Sequence, residues 1–180
     1  MQQRLPKLID PWRLDPADAP LEGEFPLAAM GRLTPLLGAS GGTVAFALSS
    51  GVDEQGLRFL AGHAATKVQM VCQRCLALVE VPLAVNFKLG LARSENESRS
   101  LPEHYDPLIV SEGSIVLSEL IEDELILVLP IAAMHEKARQ CKRVEVFSST
   151  NASEEEAEGM KNSGPFAVLS ALLKKTENQE

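Results

Sequence analysis

The sequence predicts an α+β fold: an antiparallel β-sheet built on a long β-hairpin with a Cys-x-x-Cys tip, packed by one amphipathic helix, plus a short C-terminal helix. Residues 66–92 alternate apolar and polar side chains on both sides of a CQRC bend, which is the period-two pattern of paired strands. Residues 116–129 and 166–173 instead repeat apolar side chains at helical spacing.

The first part of the chain is predicted to be mostly extended. Residues 1–25 contain four prolines among apolar residues, which excludes a regular helix and predicts an arm that docks on the body. Residues 25–37 carry apolar side chains at near-helical spacing before GASGG, which predicts a short helix. Runs at 43–49 and 57–63 flank a turn-forming segment, and the second run continues into the hairpin. Three or four antiparallel strands result.

After the hairpin the pattern changes from strands to loop and helix. Residues 93–107 are polar and predict a loop, and residues 108–110 predict a short strand. The helix over 116–129 ends at Pro130. Its solvent face is acidic and consists of Glu119, Glu122 and Asp123. Glu124 falls within the apolar face, where an unpaired charge is costly, so we expect it to be a structural acceptor of an internal hydrogen bond.

These patterns also define the domain organisation. Residues 1–147 are predicted to form a single α+β domain, since one core is the simplest arrangement for a chain of 180 residues. Residues 148–164 are acidic and rich in small side chains, which predicts a disordered linker. Residues 165–180 predict a short amphipathic helix that needs the body or a partner to be stable. Its apolar face includes Phe166, Leu169 and Leu172.

Composition limits the partners. The formal net charge of −8 repels polyanions on average, so any contact with nucleic acid must use a local basic patch. Aromatic residues make up only 4% of the chain, which leaves few rings for base stacking. No apolar run approaches the roughly 20 residues that span a bilayer, and the N-terminal residues lack the pattern of a secretory signal. We therefore expect a cytoplasmic protein with no membrane partner.

The cysteines predict a metal site. Cys72 and Cys75 have metal-ligand spacing, and His135 with Cys141 would complete a Cys3His tetrahedron if the segment after Pro130 returns to the hairpin tip. The expected cofactor is one structural zinc ion, because four protein ligands leave no position for a reactive water. The alternative is a set of reduced, partly buried thiols. A thioredoxin-like motif should open a helix, whereas here strand alternation resumes.

A basic patch follows from the same geometry. If Cys141 joins Cys72 and Cys75, positive side chains converge around the tip and could contact RNA phosphates. They are Arg74, Lys137, Arg139, Lys142 and Arg143. The alternative is an ordinary solvated basic loop. The sequence contains no nucleophile elbow, phosphate-binding glycine loop or dinucleotide fingerprint, so we expect neither an enzyme nor a small-molecule substrate.

Four segments, taken in order, resemble one known family. They are VCQRCL at 71–76, LPEHYDPLIV at 101–110, EDELILVLP at 122–130 followed by His135 and Cys141, and PFAVLSALLKK at 165–175. Together they are similar to the YceD family, the bacterial large ribosomal RNA subunit accumulation proteins.

The resemblance implies a non-enzymatic cytoplasmic factor for ribosome biogenesis that promotes synthesis, processing or stability of 23S rRNA. The implied partners are precursor or mature 23S rRNA, large-subunit ribosomal proteins, or both. A basic ribosomal protein would be held by the acidic helix and the tail, through Glu122, Asp123, Phe166, Leu169 and Leu172. Two alternatives remain at this stage: a zinc-stapled protein-interaction module without a ribosomal role, and a thiol oxidoreductase acting through Cys72 and Cys75.

Overall fold

The structure, a computed structural model, describes residues 5–111 and 113–141. These residues fall within one unit of the chain, Met1–Lys142. The boundaries predicted at residues 147 and 164 and the helix predicted over 165–180 lie outside the described residues. No helix in the described ranges is long and apolar enough to cross a membrane.

A five-stranded sheet forms the centre of the fold. The strands of the described residues are β1 (Leu8–Ile9), β2 (Leu21–Pro26), β3 (Thr43–Val52), β4 (Arg58–Val71), β5 (Leu78–Ala92), β6 (Asp106–Ile109) and β7 (Ile115–Val116). Strands β2 to β6 lie side by side in chain order, while β1 and β7 form a separate antiparallel pair. The α-helices within the same described residues are α1 (Glu95–Ser98) and α2 (Leu117–Leu127). The predicted α+β class is confirmed.

The two longest strands are antiparallel neighbours. Strands β4 and β5 pair from Phe59 opposite Gly90 to Val71 opposite Leu78, and residues 72–77 connect them. Successive side chains along this pair alternate between a more buried and a more exposed face, as the period-two pattern predicts, until residues 89–92, which are all buried. The run at 57–63 does continue into this pair, because β4 is a single strand of 14 residues.

The sheet is not wholly antiparallel, which corrects the sequence prediction. Strand β6 pairs in parallel with β5, with Leu91 opposite Leu108. The polar segment before it is also not a plain loop, because it contains α1. Ser94 caps this helix by accepting a hydrogen bond from the Glu97 N–H, and the Glu97 carboxylate accepts one from the Arg93 N–H. A parallel neighbour needs such a crossover, and residues 93–105 supply it.

The helix predicted over 25–37 is wrong. Two 3₁₀ turns occupy this segment instead, Leu27–Ala29 and Thr34–Leu36. Pro35 lies inside the second turn, where a continuing α-helix would lose a backbone hydrogen bond. The apolar spacing still serves burial, because Leu27, Met30 and Leu33 are all within the core.

The core lies between one sheet face, helix α2 and these 3₁₀ turns. Its members from the sheet include Val44, Phe46, Leu60 and Leu83, and its members from the helix are Leu117, Leu120, Ile121 and Leu125. Each large side chain buried here contributes about 1.5–3 kcal/mol from removal of apolar surface. The β4–β5 connection therefore extends from a well-packed part of the molecule.

Candidate metal centre

Two separate parts of the chain meet at the β4–β5 connection. Cys72 and Cys75 lie in that connection, and the segment after α2 returns to it. The Gln73 N–H donates to the Ala133 carbonyl at 2.9 Å, and Ala133 is buried against the two cysteines. This contact holds residues 133–141 beside the cysteines. A site made of Cys72, Cys75, His135 and Cys141 requires that the chain return to this place after Pro130.

Four potential metal ligands converge at this place. The ligand atoms of Cys72, Cys75, His135 and Cys141 all lie within 4.8 Å of one another. The His135 Nδ1 atom is 3.6 Å from the Cys75 Sγ atom and 3.7 Å from the Cys141 Sγ atom. Cys72 and Cys75 are buried, whereas His135 and Cys141 are partly exposed. The four side chains therefore lie close enough together to bind a single metal ion. We call them the metal cluster.

The connection around the first two cysteines is a tight backbone knuckle. The Cys72 N–H donates to the Ala77 carbonyl at 2.8 Å, and the Leu76 N–H donates to the Cys72 carbonyl at 2.9 Å. Leu76 has a φ of 58°, in the left-handed region where a residue with a Cβ atom is strained. A leucine does not indicate a left-handed backbone, so this conformation was not predicted from the sequence.

The knuckle also changes the acidity of Cys72. Burial alone would raise the pKa of the Cys72 thiol, but N–H groups of His135, Arg74 and Cys75 point at its sulfur. Together with the His135 side chain, these donors lower the pKa of Cys72 to about 5. By contrast, burial and the neighbouring cysteine thiols raise the pKa of Cys141, while Arg74 acts to lower it. The lowered pKa favours the thiolate form of Cys72, which is the form that binds metal.

The five predicted RNA-binding cations differ in their surroundings. The Arg74 guanidinium contacts two sulfur atoms: its Nη1 atom is 3.7 Å from Cys141 Sγ, and its Nη2 atom is 3.9 Å from Met134 Sδ. Lys137 and Arg139 are exposed on the returning segment. Lys142 and Arg143 lie outside the described residues.

The predicted solvent face of α2 is wrong for Glu122. This carboxylate is 4% exposed and accepts hydrogen bonds from the Arg32 N–H at 2.6 Å and the Leu33 N–H at 2.8 Å. The Arg32 side chain contacts Glu122 and Asp123 and donates to the Glu119 carbonyl. Because the 3₁₀ turns lie along this side of the helix, Glu122 is an internal acceptor and not a free partner-binding group.

The other predicted helix residues have different environments. Asp123 is half-exposed and paired with Arg32. Glu124 is buried at the apolar face, and burial raises its pKa, with smaller contributions from Asp106 and Asp123. The acceptor role predicted for Glu124 stays a prediction. Phe166, Leu169 and Leu172 lie outside the described residues.

Comparisons with known proteins identify relatives over most of the chain. Residues 60–173 match the family model described as "Large ribosomal RNA subunit accumulation protein YceD". A protein of that name from Haemophilus influenzae (strain ATCC 51907 / DSM 11121 / KW20 / Rd) is 36% identical over 131 residues. The aligned region covers 71% of this chain and 72% of that protein. No solved structure shows a significant match.

Proposed function

Because the chain belongs to the YceD family of large ribosomal RNA subunit accumulation proteins, we propose that it is a non-enzymatic factor that promotes accumulation of 23S rRNA. The match over residues 60–173 carries this proposal, since it includes most of the β4–β5 pair, helix α2 and all four residues of the metal cluster. The proposed partners are precursor or mature 23S rRNA together with proteins of the large subunit.

The metal that we propose for the cluster is one structural zinc ion. Tetrahedral zinc with Zn–S distances of about 2.3 Å and Zn–N distances of about 2.0 Å places sulfur and nitrogen ligands roughly 3.6 Å apart. The distances from His135 Nδ1 to the sulfurs of Cys75 and Cys141, 3.6 and 3.7 Å, agree with that edge length. Zinc would supply a cross-link between two distant parts of the chain, with no open position for catalysis.

The cross-link would present a basic surface. Residues 133–141 hold the exposed cations Lys137 and Arg139, with Lys142 and Arg143 next in the chain. The chain has a net charge of −8, so phosphate is repelled by most of the molecule. A local excess of positive charge makes this segment the favoured place for contact with phosphate. We therefore propose that the zinc-held segment 133–141 contacts rRNA phosphates and that the acidic remainder of the molecule faces away.

A strain that lacks the protein provides the decisive test. We expect fewer large subunits on a sucrose gradient and less 23S rRNA relative to 16S rRNA. Complementation with the wild-type chain should restore both, and the Cys72→Ser variant should restore neither. Normal subunit and rRNA ratios in the deletion strain would refute the ribosomal role. They would favour the alternative of a zinc-stapled protein-interaction module.

A binding assay tests the RNA contact itself. The double variant Lys137→Glu/Arg139→Glu should bind 23S rRNA fragments more weakly, and the slope of log K against log salt should fall by about 2 in magnitude. Arg13→Glu/Arg99→Glu is the matched control, because both of these arginines are exposed and lie outside the returning segment. Equal losses in the two double variants would indicate only a general effect of charge, and would exclude a local patch.

A further inference from the structure

We propose that Arg74 is a positioning residue of the metal cluster: its guanidinium bridges Cys141 and Met134 and neutralises the charge of the metal-thiolate group. This inference rests on the proposed zinc site and assigns Arg74 a different role from the RNA contact that the sequence suggested. It makes the arginine of the CQRC turn a determinant of metal retention.

The contacts of Arg74 come from both its backbone and its side chain. Its N–H is one of the donors that stabilise the Cys72 thiolate. Its side chain then passes over the cluster, with Nη1 at 3.7 Å from Cys141 Sγ and Nη2 at 3.9 Å from Met134 Sδ. A single residue thereby links the knuckle to the segment that returns after α2.

The charge of the cluster explains why a cation belongs there. A divalent metal bound by three thiolates and a neutral imidazole retains one negative charge. Cys72 and Cys75 are buried, so water screens that charge poorly from their side. The Arg74 guanidinium lies beside the partly exposed Cys141, which is the ligand furthest in sequence from the other three, and offsets the negative charge there. Loss of Cys141 as a ligand would weaken the attachment of residues 133–141 to the cluster.

The shape of the guanidinium matters as well as its charge. Its planar fork directs separate N–H groups at two acceptors, whereas a lysine ammonium is a compact point charge on a flexible stem. Arg74→Lys should therefore keep the electrostatic contribution and lose the bridge to Met134. Arg74→Gln should lose both. Arg139→Gln removes the same charge two residues from Cys141, at a position where the side chain is exposed, and is the matched control.

Competition with a chromophoric chelator measures Zn²⁺ affinity of the full chain. Loss of a residue that orients or supports metal ligands typically weakens metal binding by about 10–100-fold, and we expect Arg74→Gln to fall in that range. Arg74→Lys should lie between this variant and the wild type. Arg139→Gln should stay within about threefold of the wild type, since an exposed charge is screened by salt. Wild-type affinity in Arg74→Gln, or an equal loss in Arg139→Gln, would overturn the proposal.

Replacement of zinc by Co²⁺ provides a second readout that a general loss of stability would not move. The N–H donors stabilise electrons on sulfur, so their loss should shift the thiolate-to-cobalt charge-transfer band to lower energy. We expect this shift in Arg74→Gln and, to a smaller extent, in Arg74→Lys, with the tetrahedral ligand-field bands retained. If Arg74→Gln fails to fold, Arg74→Lys carries the test. A charge-transfer band unchanged from the wild type in both variants would contradict the bridge.

Two further measurements separate this inference from the proposed function. Metal retention by Cys72→Ser would refute the zinc site itself, whatever Arg74 does. At saturating Zn²⁺, Arg74→Gln should bind 23S rRNA fragments as the wild type does, because its defect lies in metal retention. A loss of RNA affinity that persists at saturating Zn²⁺ would place Arg74 on the RNA and overturn the positioning role.

Discussion

Two regions of the molecule contain very different amounts of apolar packing: the sheet-and-helix body, formed by strands β1 to β7 and helix α2, and the cysteine end, formed by residues 72–77 and 131–141. The body buries a cluster of 18 hydrophobic residues, most of them aliphatic, between the sheet and α2. Among residues 5–111 and 113–141, the separate cluster at the cysteine end consists of Cys72, Cys75, Val79 and Ala133. Such a small cluster cannot offset the conformational entropy of ordering residues 72–77 and 131–141. The body is therefore stabilised by apolar burial, whereas the cysteine end depends on its sulfur and hydrogen-bonding groups.

Removal of the proposed zinc ion should separate the two regions most strongly. Apparent free energies of structural zinc binding are on the order of 10 kcal/mol, so removal of zinc by a chelator should unfold the cysteine end locally. We expect amide hydrogen exchange to accelerate in peptides from 72–77 and 131–141 and to stay unchanged in α2. Mass spectrometry of exchanged peptides measures both at once.

The Cys75→Ser variant is the control for this experiment. It should show fast exchange at the cysteine end without chelator and no further change on adding it. Loss of protection in α2 at the same chelator concentration would mean that the two regions unfold together. That result would contradict their separate stabilisation.

Truncation of a core side chain should act in the opposite direction. Leu125 of α2 is 0% exposed, so Leu125→Ala should lower the free energy of unfolding of the body by about 2–5 kcal/mol. Metal content should stay at the wild-type value. Urea denaturation followed by circular dichroism gives the first quantity, and metal analysis gives the second. Leu127→Ala, at a site 78% exposed on the same helix, should change stability by less than about 0.5 kcal/mol.

Two carboxylates of α2, Glu122 and Glu124, are buried within the body, and Glu122 is the one that accepts hydrogen bonds from the 3₁₀ turns. Glu122→Gln keeps the side-chain volume but replaces the charged acceptor of the Arg32 and Leu33 N–H groups. Weakening these bonds should cost about 1–3 kcal/mol in urea denaturation. Asp123→Asn tests the exposed half of the same Arg32 contact and should cost no more than about 1 kcal/mol. Equal costs for the two variants would show that burial of Glu122 does not decide its contribution.

The sequence predicted those features that repeat or that depend on residue type alone. Alternation located the β4–β5 pair, helical spacing located α2, and the ligand chemistry of cysteine and histidine selected all four members of the metal cluster. The parallel pairing of β6 was not predictable, because a short apolar run gives no strand direction. Glu122 was assigned to the solvent because helical periodicity describes one helix and not the 3₁₀ turns packed against it.

Two features of the cysteine end could not be predicted from the sequence. An arginine can contact either phosphate or sulfur, and only the positions of Cys141 and Met134 show that Arg74 contacts sulfur. The left-handed backbone at Leu76 could not be predicted either, because this conformation is typical of glycine and not of leucine.

Relief of this backbone strain is the smallest of the expected effects and the most local. Leu76→Gly should stabilise the knuckle by up to about 1 kcal/mol, because a left-handed residue with a Cβ atom costs roughly 1–2 kcal/mol and the greater freedom of glycine when unfolded cancels part of the gain. The leucine side chain is 72% exposed, so little packing is lost. Slower exchange of the Cys72 and Leu76 amides, which donate to Ala77 and Cys72, would report the change.

Leu76→Ala is the matched control, because alanine removes the exposed side chain but keeps the Cβ atom that causes the strain. Its exchange rates should equal those of the wild type, and urea denaturation of the body should be the same for all three proteins. Faster exchange in Leu76→Gly would mean that the leucine side chain stabilises the knuckle through contacts and that the strain is minor. The cysteine end would then depend on apolar packing after all, as the body does.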